Sequence, residues 1–124
     1  MRGFLMIGAA ALLAGCVGSP SLSGTMGAPS FEALQHMCTP QTVDYGQDAQ
    51  GVYAAMFDAY VATRRGRLSK DEFCAFQASI AQRHASEGMS TDPQVRNRWV
   101  EFFTEQRANA LSWRAAVDPT LRSG

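Results

Sequence analysis

From residue 30 onward, short amphipathic stretches alternate with stop signals, and apolar positions recur at helical spacing. Phe31, Leu34 and Met37 follow one another every third residue behind Ser30, a side chain suited to an N-cap. A first helix is therefore predicted from Phe31 to about Cys38, with Pro40 stopping it and residues 39–47 forming a loop. Val52, Tyr53, Met56, Phe57, Tyr60 and Val61 lie on an i, i+3, i+4 stripe, which predicts a second helix over about Asp48 to Arg65. Gly51 weakens its start slightly. Ser69 and Glu72 have the spacing of a capping box, and Gly66 and Leu68 before them suit a left-handed helix end with its apolar contact. The third helix carries Phe73, Phe76, Ile80 and Ala81 and fades near Gly88. Asp92 before Pro93 then starts a fourth, which runs to about Val117 and ends at Asp118-Pro119. No segment alternates as a strand does. The pattern predicts an all-α domain, a small bundle of three or four helices over residues 30–118, with 119–124 as a tail.

The fourth helix has two distinct lines of residues. At ~100° per residue, Val95, Trp99, Phe102, Gln106, Ala110, Trp113 and Val117 share a seam, so both tryptophans are expected to be buried. Arg96, Arg107 and Arg114 form a second line, with Phe103 among them and Val100 and Leu111 just beyond. Arginine interleaved with an aromatic and aliphatics is a composition enriched at protein interfaces, so these six residues are a candidate partner surface. The competing reading is a wide packing arc whose arginines lay their stems over neighbours, and it carries more weight in a small bundle.

The residues ahead of the bundle speak to location. Arg2 precedes an apolar run from Phe4 to Leu13, too short to cross a bilayer, which takes ~20 residues. A basic start, a short apolar segment and small residues after it read as a secretory signal peptide over residues 1–15. Leu13-Ala14-Gly15-Cys16 resembles the lipobox of bacterial lipoproteins. The resemblance implies cleavage after Gly15 by signal peptidase II, a diacylglycerol thioether on Cys16 and an acylated new N-terminus. Val17 stands where an aspartate would signal inner-membrane retention in enteric bacteria, so the resemblance implies the periplasmic face of the outer membrane. The alternative, an ordinary signal peptide, would leave an odd thiol in an oxidising compartment. Residues 16–29 then form the lipidated N-terminus and a tether in which Gly, Ser and Pro dominate, with a coil's reach of ~20 Å.

With Cys16 assigned to lipid, Cys38 and Cys74 remain, and an exported chain most simply pairs them. Closing that loop removes roughly 3.5–4 kcal/mol of unfolded-state entropy in the chain-entropy model. Two buried thiols are the alternative, and the lack of Cys-x-x-Cys spacing speaks against a redox pair. A structural disulfide is expected.

Charge and motifs limit the chemistry. Basic and acidic residues number 11 each, and losing Arg2 leaves a net charge near −1. Nucleic acid calls for a concentrated basic face, so none is expected as a partner. The same balance leaves membrane attachment to the lipid. Residues 61–72 resemble an EF-hand loop in Gly66, Leu68, Ser69 and Glu72, followed by Phe73. Val61, Thr63 and Arg65, however, stand where oxygen ligands, usually carboxylates, are needed, and Arg64 and Arg67 would repel a cation. No calcium is expected there, and for the three arginines a helix C-terminus favoured by the dipole is expected over a phosphate or lipid-headgroup site. His36 and His84, the two histidines, show no zinc spacing and are expected at surface or boundary positions. No metal, cofactor or enzymatic activity is expected. The functional expectation is a membrane-anchored periplasmic lipoprotein, bound to the bilayer through Cys16 and to an envelope protein, as an interaction module or accessory subunit. A periplasmic inhibitor or immunity protein against a toxin or hydrolase is the alternative from another class.

Overall fold

A computed structural model describes residues 28–118. The expected signal peptide, Cys16, the expected tether up to residue 27 and the tail at 119–124 lie outside the described residues. Among those described, the fold is all-α without a strand: α1 (Phe31–His36), a 3-10 turn (Gly46–Asp48), α2 (Ala49–Arg64), α3 (Lys70–Arg83), a π turn (His84–Gly88) and α4 (Pro93–Val117). None of these helices is long and apolar enough to cross a membrane.

Local chemistry sets most boundaries. The Ser30 hydroxyl accepts the Ala33 N–H at 3.0 Å and starts α1. That helix stops at His36, short of the expected Cys38, because the Gln35 carbonyl takes both the Cys38 and Thr39 N–H groups and tightens the last turn. Asp44 accepts the Gly46 N–H at 2.9 Å, and Gly46 takes φ +57° to turn the chain into α2. At the far end of α2, Gly66 adopts φ +87°. Arg67 N–H donates to the Ala62 carbonyl and Gly66 N–H to the Thr63 carbonyl, the paired bonds of a Schellman motif. Leu68 is buried behind it. Ser69 and Glu72 then satisfy one another's backbone N–H groups in the expected capping box. Asp92 accepts the Gln94 N–H, and Pro93 occupies the first position of α4.

The core collects around α2. Val52, Ala55, Met56, Ala59 and Ala62 are buried along it, and its small residues let α4 approach closely. Leu34, Phe73, Phe76, Ile80 and Trp99 close the core from the other helices. Two buried amides sew α1 down: Gln35 accepts the Val43 N–H, and Gln77 of α3 donates to the Leu34 carbonyl, both at 2.8 Å. The Cys38–Cys74 disulfide joins the turn after α1 to α3, with α-carbons 5.4 Å apart.

The seam of α4 needs a correction. Trp99 and Ala110 are buried, but Val95, Phe102, Gln106, Trp113 and Val117 are only half-buried. At 25 residues α4 outruns every other helix, and α2 and the π turn cover it far more than α3 does. Trp113 consequently sits at the boundary, its ring edge against Phe76 at 5.2 Å.

Candidate functional site

The densest polar cluster forms where the 3-10 turn, the π turn and the start of α4 meet. Asp48 ends the 3-10 turn and receives the Arg96 guanidinium from α4 with both oxygens, Nη1 to Oδ2 at 2.9 Å and Nη2 to Oδ1 at 3.0 Å. This two-pronged bond raises the Arg96 pKa against the opposing effect of burial. Arg96 Nη1 also donates to the Gly88 carbonyl. His84 brings Nε2 to 3.5 Å from Asp48 Oδ2, while its ring lies edge-on to Tyr45 at 4.9 Å and to Trp99 at 5.0 Å.

His84 is buried at 2 % exposure, which corrects the surface or boundary position expected of it. The reason is Gly88. A Cβ there would stand 2.4 Å from His84 Cδ2, so only glycine leaves room for the ring. The π turn brings the two residues into that contact, and such turns are frequent at functional sites. His36, by contrast, is exposed as expected. Replacing Gly88 by alanine is expected to cost about 1–3 kcal/mol, because Tyr45, Trp99 and Asp48 hold the imidazole on its other sides. Urea titration of Gly88→Ala checks this, and a loss below ~0.5 kcal/mol would mean that the box yields.

Above the cluster opens a depression of about 270 Å³, lined by Asp44, Tyr45, Gln47, Met89, Ser90 and Arg96 among others. Burial pushes the Tyr45 hydroxyl up to about 12, so it stays protonated throughout the physiological range. Asp48 has both oxygens committed to Arg96. The arrangement therefore locks three chain segments together. Nothing in the sequence reading singled out Asp48, Tyr45 or Gly88. The His84…Gly88 spacing, a ring one turn before a residue without a side chain, was the available signal.

The proposed partner row of α4 does not form one exposed patch. Arg114 donates to Asp58 at 2.8 Å and lies over the Phe57 ring, and Arg96 is held by Asp48, so both face α2. Phe103 stacks on Trp99 at 5.2 Å with planes 10° apart, half-buried against Gly51. Val100 and Leu111 are exposed at 46 % and 50 %, and Arg107 is exposed with them. Cys38 and Cys74 are joined as expected, and Cys16 lies outside the described residues. Among the described residues, no group of three or more His, Cys, Asp or Glu side chains is placed to hold a metal ion. Compared with protein-family models, curated proteins and solved structures, the chain matches none.

Proposed function

We propose that this chain is a lipid-anchored envelope lipoprotein serving as an interaction module or accessory subunit, held at the periplasmic face of the outer membrane. Leu13-Ala14-Gly15-Cys16, behind its apolar run, carries the reading. The Cys38–Cys74 disulfide supports it, because such bonds persist in oxidising compartments and are rare where thiols are kept reduced. The module half draws support from the surface of α4. Val100, Thr104, Arg107 and Leu111 share one exposed stripe, spaced by four, three and four residues.

Anchoring is tested on Cys16. The protein from membranes is expected to enter the detergent phase on cloud-point separation and to carry acyl groups on its N-terminal peptide by mass spectrometry. Cys16→Ser is expected to shift it to the aqueous phase or leave it as the uncleaved precursor. An unmodified Cys16 would sink the anchor. Capture from cross-linked membranes then tests the partner: a stoichiometric envelope complex supports the module, and a single tightly held hydrolase points to an inhibitor instead.

A further inference from the structure

The start of the described chain is fastened to α2, where the Tyr53 hydroxyl donates to the Pro29 carbonyl at 2.7 Å. From Tyr53 the same face continues through Phe57 and Tyr60 to Arg64, spaced by four, three and four residues and hence in line. The rings follow one another, 6.4 Å between the centres of Tyr53 and Phe57 and 6.0 Å between those of Phe57 and Tyr60. Phe57 and Tyr60 are half-buried, and Arg114 of α4 lies over the Phe57 ring. Arg64 ends the line, donating to the Tyr60 hydroxyl at 2.8 Å and lying over its ring.

Arg65, Arg67 and Lys70 stand just beyond, exposed like Arg64. Among the described residues, none of these four cations is within ion-pair distance of a carboxylate, whereas Arg83, Arg96, Arg98 and Arg114 each are. The acidic residues next in sequence are Asp71 and Glu72, and Glu72 is engaged by the Ser69 N–H at the cap of α3. Asp118, at the end of α4, pairs with Arg114. Among the described residues, the cations with no carboxylate partner thus gather, Arg107 apart, at one pole of the bundle.

We infer that this face, with Phe57, Tyr60, Arg64, Arg65, Arg67 and Lys70, docks on an anionic bilayer surface. The inference rests on the lipid-anchor reading for its geometry. About a dozen residues separate Cys16 from Pro29, and the basic pole lies ~16 Å along α2 from Tyr53, at 1.5 Å per residue. An anchor at Cys16 would enter the bundle at Pro29, beside this line, with the pole within reach of the same headgroups. Amphipathic rings favour the membrane–water interface, and lysine and arginine favour anionic lipid. The lipid supplies attachment, and the face sets which side of the bundle turns to the membrane.

The test uses the chain from residue 16 with Cys16→Ser, which carries no thioether lipid and keeps every described residue. It is sedimented with vesicles of phosphatidylglycerol and phosphatidylcholine, and with vesicles of phosphatidylcholine alone. Binding to the anionic vesicles, weakening as salt rises, is expected. Arg65→Gln with Arg67→Gln is expected to weaken it roughly 25-fold, the equivalent of ~1 kcal/mol per cation, at unchanged helicity and melting temperature. Should loss of the Arg65 bond to the Val117 carbonyl lower the melting temperature, Arg67→Gln with Lys70→Gln replaces that pair. Equal binding to both vesicles, binding to neither, or unchanged affinity of the variants overturns the inference. Retention on immobilised polyglutamate without vesicle binding overturns it in favour of an acidic protein partner. The anchor fails separately, because acyl groups on Cys16 are read by mass from cells whatever the vesicles show.

Discussion

Trp99→Ala is expected to lower the free energy of unfolding by about 3–5 kcal/mol, the usual cost of emptying a buried aromatic site. Trp99 is among the largest fully buried side chains, at 1 % exposure. Its ring is boxed by His84 edge-on, by Phe103 stacked on it and by Phe102 at 6.3 Å. Those walls cannot close in freely. Arg96 ties the start of α4 to Asp48, and Gly88 fixes the imidazole from below, so the cavity stays open and the lost contacts are not recovered. At 4–8 °C per kcal/mol for a domain of this size, the melting temperature should fall by roughly 12–40 °C. Trp113→Ala is the comparison: its ring is half-buried, so a clearly smaller loss is expected. Urea titration of both variants measures the difference, and equal losses would contradict the burial described for α4.

That pair of tryptophans also marks how far the sequence could be read. Caps depend on residues three or four apart, so Ser69 with Glu72, Asp92 before Pro93 and Gly66 at the end of α2 could be placed from the chain alone. The helical class followed from periodicity for the same reason. Burial around the circumference of α4 did not, because it depends on which neighbours cover each side. Periodicity puts Trp99 and Trp113 on one line, yet only the first is enclosed. The arginine row shows the same limit. Arg96 and Arg114 find carboxylates 48 and 56 positions away, on the chain segment that forms α2 and its approach, and no local pattern announces such partners. His84 is an intermediate case. Its carboxylate partner is remote, but the glycine that admits its ring lies within the same turn and was visible.

Replacing both Cys38 and Cys74 by serine is expected to cost about 2–5 kcal/mol, the usual loss when a small domain is deprived of a native disulfide. The double variant is the appropriate one, since a single serine would leave a thiol free to mispair. The location of the bond explains why the loss falls in this range. At six residues α1 is too short to be stable alone, and apart from the disulfide it is held by Phe31, Leu34 and the two glutamine bonds. Without the cross-link, the whole loop from Cys38 to Cys74 is freer in the unfolded chain, and in the folded state α1 keeps only those contacts and the Tyr53 bond to the Pro29 carbonyl. Two measurements separate this from a general weakening of the core. The melting temperature should fall by roughly 8–40 °C at 4–8 °C per kcal/mol. Amide exchange should accelerate first at α1, whose Leu34 carbonyl meets Gln77, while α2 and α4 keep the protection of a shared core. Uniform acceleration along all four helices would show that the disulfide acts on the bundle as a whole rather than on the attachment of α1.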